Sequence, residues 1–168
     1  MKDNPTHIEI DITFDNNIWN KAPRISKAHI KKTIYQTLAD HLPKQQQTEI
    51  SILLTTDSFI RTLNKNYRNI DKPTNVLSFP MTEETDHHEP SITGLHTLGD
   101  IIISYETIDK EAQEQGKSFI HHFTHMLVHG CLHLLHYDHQ TEEQAKQMEA
   151  LEIEILKSLD IKNPYATE

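Results

Sequence analysis

The sequence predicts an α+β domain in which one mixed sheet of about four strands packs with about five helices, residues 1–168 forming a single unit with a metal site at the end of a histidine-bearing helix. Three observations lead there. Residues His7 to Phe14 alternate apolar and polar without a break, the period of a half-buried strand. Other, longer segments space their apolar residues at three and four, the period of an amphipathic helix. The two kinds of segment are interleaved without regular alternation, which favours α+β over a repeating βα pattern.

In the first strand Ile8, Ile10, Ile12 and Phe14 fall on one side, and Glu9, Asp11 and Thr13 on the other. Asn16 to Arg24, with Trp19 and Pro23, reads as a loop. Ser26 then caps a helix whose inner face is Ile30, Ile34 and Leu38, and Pro43 closes that segment. Glu49 to Thr56 is short and β-branched, a second strand more buried than the first. Asp57 is the predicted N-cap of the next helix, with Phe59, Ile60, Leu63 and Tyr67 as its buried face and Arg61 turned away from Phe59 and Leu63. Arg68 to Thr74 is a loop and Val76 to Phe79 a short strand. Thr82 to Gly94 is an acidic surface loop broken by Pro90; His87 and His88 within it, and His96 beside it, read as exposed loop histidines.

Leu98 to Ser104 is a strand in which Gly99 marks a bulge or a close backbone approach. Glu106 to Gln115 is helical and closed by Gly116, after which Ser118 caps the next helix. Thr141 and Gln144 form a capping-box pattern ahead of a last helix carrying Ala145, Met148, Leu151, Ile155 and Leu159. The polar tail from Asp160 to Glu168 is expected to be loose.

At 168 residues the chain can bury a core without disulfides or a structural metal. Its single cysteine excludes an internal disulfide, nothing near Met1 has the apolar core of a signal peptide, and no apolar run approaches a membrane span. A soluble, cytoplasmic protein without a membrane partner is the expectation. The formal net charge of −9 argues against a uniformly basic surface for nucleic acid. Arg61, Lys65, Arg68 and Lys72 nevertheless cluster in sequence, either as the basic rim of one cleft or as a solvated helix face. A bound metal would add positive charge that residue counting omits.

The chemistry concentrates between His121 and His139, which hold seven of the thirteen histidines. His129 and His133 are an i, i+4 pair on a helical segment, within about 40° of each other around the axis, so both imidazoles can reach one ion. His125 and His129 have the same spacing, and geometry alone leaves both pairs open. A third ligand must return from beyond the helix end, where His136-Tyr137-Asp138 breaks the apolar pattern; His139 and His136 are the rivals. Three neutral histidines around tetrahedral zinc leave one position open, the arrangement of catalytic zinc, although they also accept nickel, copper or iron. Gly130 stands where an H-E-x-x-H protease carries its glutamate, so the site is poorly equipped for peptide hydrolysis. Cys131, about 200° around the helix from His129 and from His133, reads as core.

The string H-G-C-L-H-L-L-H-Y-D-H from His129 to His139 resembles the signature H-G-x-L-H-L-x-G-Y-D-H of the YbeY family, bacterial rRNA maturation factors regarded as metal-dependent endoribonucleases. Two further blocks, Arg61 to Pro80 and Leu98 to Ile101, match in the expected order. The resemblance selects His129, His133 and His139 as ligands of one zinc ion per chain. It also casts Arg61, at the head of the second block, as the catalytic arginine that pairs with a phosphate. Asp100, Asp138, Arg68 and Lys72 are candidates for orienting a ligand or binding substrate. The implied activity is hydrolysis of single-stranded RNA in 16S rRNA 3′ maturation and ribosome quality control, with zinc as Lewis acid. The implied partners are ribosomal RNA and small-subunit ribosomal proteins or an assembly GTPase.

At one position the chain departs from the signature. His136 replaces a glycine suited to a left-handed turn, which histidine tolerates less freely. The alternative reading is a non-catalytic ribosome-assembly factor with a structural zinc, which a fourth protein ligand such as His136 would favour. A zinc-protease-like hydrolase ranks third.

Overall fold

Alternation at the start of the chain becomes strand β1 (His7–Phe14), and the following elements are α1 (Lys27–Leu38), β2 (Gln47–Thr55), α2 (Asp57–Arg68), β3 (Val76–Pro80), β4 (Leu95–Ser104), α3 (Tyr105–Glu114), α4 (Phe119–Leu134) and α5 (Glu142–Ser158). The computed structural model describes residues 6–44, 46–81 and 95–166, so the expected loop from Thr82 to Gly94, with His87 and His88, lies outside the described residues. The sheet order is β1-β2-β4-β3, with β1, β2 and β4 parallel and β3 antiparallel to β4. The described residues thus form one α+β domain with a four-stranded mixed sheet and five α-helices, as the sequence predicts.

One face of the sheet carries the main core, where Ile12, Ile50, Ile52, Leu54, Ile101 and Ile103 meet α1 and α4. The opposite face is covered by α2, through Ile60 against Leu77 and Ile102. Helix α4 lies between two cores, since Phe123, Leu127, Cys131 and Leu134 pack on the sheet while Val128 and Leu132 pack on Met148 and Leu156 of α5. A helix buried on two sides is hydrophobic most of the way round. The polar groups it does carry must therefore find partners inside the protein.

Several details differ from expectation. The segment around Trp19 is a 3-10 turn (Asn17–Lys21), because the buried indole needs a partner and its N–H donates to the Thr55 carbonyl at 3.1 Å. Thr56, not Asp57, is the N-cap of α2; the Asp57 carboxylate instead accepts bonds of 2.6 Å from the Ser104 and Thr107 hydroxyls, tying α2 to the start of α3. The inner face of α2 is Ile60 and Asn64, and Phe59 and Tyr67 are exposed. The tail is also held down, with Lys117 Nζ donating to the Pro164 carbonyl at 2.8 Å.

Gly99 has both properties expected of it. The β2–β4 register shifts beside it, its φ is +148°, and a Cβ there would collide with the Phe79 carbonyl and the Leu134 side chain. His96, read as an exposed loop histidine, is a buried residue of β4, which begins at Leu95.

Candidate metal centre

Helix α4 opens at Ser118, whose hydroxyl accepts the His121 backbone N–H at 3.2 Å. It is pressed onto the sheet at Gly130. A Cβ there would lie 3.2 Å from the side chains of Ile101, Ser78 and Val76, and the Gly130 carbonyl accepts a 3.0 Å bond from Ser78 Oγ. This close approach sets His129 and His133 beside strand β3. Both line a cleft of about 680 Å³ with Tyr67, Arg68, Asn75, Ser78, Phe79, Asp138 and His139.

The helix ends in a Schellman turn. His136 takes the left-handed conformation with φ of 69°, its N–H bonds to the His133 carbonyl, and the Tyr137 N–H bonds to the Leu132 carbonyl. The geometry the family glycine would adopt is therefore kept by a histidine. That turn sends the chain back over the helix end, where Asp138 Oδ1 accepts the His139 N–H at 2.8 Å. Asp138 thus shapes the turn that delivers the third imidazole.

The Nε2 atoms of His129 and His133 face each other at 3.0 Å, and the His139 ring lies 5.4 Å and 5.2 Å from their rings. One nitrogen from each of the three falls within 4.8 Å of the others. His129 and His133 are half-buried and His139 is exposed, so the centre opens to the cleft. Burial, with the His129 and His139 imidazoles adjacent, lowers His133 to a pKa of about 4, against weaker opposition from the Tyr137 backbone and Asp138. It is thus neutral at pH 7, the form that binds a metal.

The donor set fits an ion. His129 Nδ1 lies 2.5 Å from Glu152 Oε1; a carboxylate accepts, so the ring donates there, and in the neutral imidazole, the form that binds a metal, Nε2 then carries the lone pair. That lone pair points at His133, and tetrahedral zinc with Zn–N of about 2.0–2.1 Å wants its ligand nitrogens about 3.3 Å apart. Among the described residues these three histidines are the group able to hold a metal, and His136 does not join them.

Glu152 was missed in the sequence. It is fully buried and is also bonded by His125 Nε2 at 3.0 Å and by the Tyr165 hydroxyl. Burial alone would raise its carboxyl pKa, but the bonds from His125, His129 and Tyr165 outweigh burial and hold it at about 2. The signal was present, because Glu152 sits between Met148 and Leu156 at helical spacing, a carboxylate in the middle of the buried stripe of α5.

The other candidates separate. Arg68, exposed and without an ion-pair partner among the described residues, lines the histidine cleft. Arg61 lines a different depression on α2 and is paired with Asp71 at 2.8 Å. Asp100 lines a groove of about 440 Å³ with Asp11, Ser51, Phe59 and Tyr67, which none of the three histidines lines. The Lys72 carbonyl receives a 2.9 Å bond from Asn64, and the residue lines neither the histidine cleft nor the Arg61 depression. His122 and His125, in the first half of α4, face the carboxylates of Glu111 and Glu152. Cys131 is buried core, its thiol pKa raised by burial.

With this geometry in place, comparison with known proteins is decisive. The family model described as Endoribonuclease YbeY matches residues 14–160. The chain belongs to the YbeY family. An Endoribonuclease YbeY of Bartonella bacilliformis is 45% identical over 159 residues, covering 94% of this chain and 97% of that protein. One of Bradyrhizobium diazoefficiens is 45% identical over 149 residues, covering 88% and 80%. The solution structure of a Thermotoga maritima protein aligns over 95% of this chain and 97% of its own at a TM-score of 0.52 and 21% identity, a likeness of fold. Membership in the YbeY family supports a nuclease that hydrolyses RNA. No helix among the described residues is long and apolar enough to cross a membrane.

Proposed function

We propose that the chain is a single-strand-specific, metal-dependent endoribonuclease that acts in the cytoplasm on the 3′ end of 16S rRNA and in ribosome quality control. One zinc ion would be held by His129, His133 and His139. The observation that carries this reading is the convergence of three imidazole nitrogens within 4.8 Å at the wall of an open cleft. Zinc bound there would supply Lewis-acid polarisation of a phosphate oxygen and a more acidic water.

The chain's own residues do the rest. Glu152 keeps the His129 Nε2 lone pair turned toward the centre. Arg68 offers a guanidinium without an ion-pair partner among the described residues in the same cleft, suited to a phosphate whose charge redistributes during cleavage. Arg61 could do so after giving up Asp71, so Arg68 is the better-placed arginine. Ribosomal RNA is the proposed substrate, with small-subunit ribosomal proteins or an assembly GTPase as proposed partners. The lack of a fourth protein ligand among the described residues favours this reading over an assembly factor with a closed, structural zinc.

The test is cleavage of single-stranded ribosomal RNA by highly purified wild type, His133→Ala, Arg68→Ala and Arg61→Ala, with bound metal quantified in each. Loss of metal and cleavage in His133→Ala, with loss of cleavage alone in Arg68→Ala, is the expected result. Equal cleavage by all four would mark the activity as a contaminant and leave the assembly factor standing.

A further inference from the structure

The tail beyond α5 reaches the carboxylate that backs the centre, a contact that no sequence motif announces. After α5 the chain turns at Asp160, which has φ of 61°; Lys117 Nζ ties the tail to the fold through the Pro164 carbonyl at 2.8 Å, and within the tail the Tyr165 N–H donates to Asn163 Oδ1 at 2.9 Å. Tyr165 stands outside the stretch of residues 14–160 that the family model matches. Its ring packs edge-on against His125 at 5.4 Å and its hydroxyl reaches the buried Glu152 carboxylate.

We propose that Tyr165 is a positioning residue for the three-histidine centre, acting through Glu152 on His129; this rests on those histidines being a metal site. The carboxylate of Glu152 is an acceptor, and it meets three donors. His129 Nδ1 takes Oε1, while His125 Nε2 and the Tyr165 hydroxyl share Oε2. With Oε2 held from two directions, the carboxylate plane is fixed and Oε1 stays on His129 Nδ1. His129 is thereby kept in the tautomer that turns its Nε2 lone pair toward His133 and His139.

Without the hydroxyl, Oε2 keeps His125 as its donor and the carboxylate can rotate. His129 then samples the other tautomer, whose Nε2 bears a proton and cannot bind a cation. Partners of this outer kind typically contribute about 10–100-fold to metal affinity. The side chain also couples the tail to the ion: by linkage, whatever the hydroxyl adds to metal affinity, the metal returns to the docking of Tyr165.

The experiment uses the full chain stripped of metal. Zinc affinity is measured by competition with a chromogenic chelator for wild type, Tyr165→Phe, Glu152→Gln and Lys117→Ala, and long-range 1H–15N spectra of the metal-free proteins report the His129 tautomer. Glu152→Gln is expected to weaken zinc by about 100-fold and Tyr165→Phe by about tenfold, the upper and lower ends of that range. In both, the Nδ1–H form of His129 gives way to a mixture. Lys117→Ala, which cuts the other tie of the tail without touching Glu152, is expected to change neither quantity. Wild-type affinity and tautomer in Tyr165→Phe would overturn the proposal while leaving the metal site intact. An equal loss in Lys117→Ala would overturn it too, by assigning the effect to tail order instead of the hydroxyl. If the wild type binds no zinc, the metal reading itself fails and this inference with it.

Discussion

The two halves of helix α4 carry the same residue type at helical spacing, three apart in the first half and four apart in the second, and put it to different uses. In the first half His122 and His125 are buried and each meets a carboxylate, Glu111 and Glu152, at 3.0 Å. In the second half His129 and His133 face each other and the returning His139. Helical periodicity places both pairs on reachable faces and is silent on which pair holds an ion. The choice is made by the elements opposite: α3 and α5 close over the first half, while the second half borders β3 and an open cleft. Glu152 belongs to both halves, bonding His125 with one oxygen and His129 with the other.

The largest effect that divides the halves is on metal content. His133→Ala should reduce bound zinc to background and cleavage by more than about 100-fold, beyond what outer partners contribute. His122→Asn should keep the metal and instead lose about 1–3 kcal/mol of stability, because it unpairs groups in a closed site. Elemental analysis beside urea denaturation reads both quantities. Metal loss in His122→Asn with retention in His133→Ala would reverse the assignment of the halves.

Packing gives the next contrast. Gly130→Ala introduces a Cβ 3.2 Å from three side chains of β3 and β4, and overpacking of this kind costs about 1–3 kcal/mol. The strain falls beside His129, so a shifted urea midpoint should be accompanied by weaker zinc binding. An unchanged midpoint would mean that the helix sits less tightly on β3 than these distances require.

Much of this was legible in the sequence, and the failures have a common cause. The first strand followed from alternation and the others from short apolar or β-branched runs, three helix starts from Ser26, Ser118 and the Thr141–Gln144 box, and the metal cluster from the motif. Asp57 has the chemistry of an N-cap, but the hydroxyls of Ser104 at the end of β4 and Thr107 in α3 compete for its carboxylate. Tyr67 fits the inner stripe of α2, yet it is exposed and meets the Phe79 ring edge-on at the surface. Arg61 and Arg68 share one helix, and which of them overlooks the histidines depends on where β3 runs. The departures at Asp57 and Tyr67 thus come from tertiary contacts that no local pattern encodes. Glu152 differs, since a carboxylate on a buried stripe was a visible anomaly.

His136 tests how much the departure from the family signature costs. A left-handed residue other than glycine carries a penalty of about 1–2 kcal/mol, softened for histidine, so His136→Gly should stabilise the fold by about 1 kcal/mol while leaving zinc content unchanged. A loss of stability would show that the His136 side chain makes up for its backbone conformation.

The smallest effect expected is a difference in acid sensitivity within the closed half. Burial pushes the Glu111 carboxyl up, but the bonds from His122 and Asn75 outweigh it and leave it below its ordinary 4.5. A carboxyl lower in the folded state stabilises the protein above pH 4.5, and that contribution is lost as pH falls through its folded value. Glu111→Gln should therefore lower stability at pH 7 and reduce the further loss as pH falls below 4.5, read from urea midpoints. The slope should not vanish, because Glu152 has the same sign and, held at about 2, a window extending to lower pH. If Glu111→Gln left the acid slope as steep as in wild type, the acid sensitivity of the closed half would reside in Glu152, and the two carboxylates that face the first-half histidines would not be equivalent.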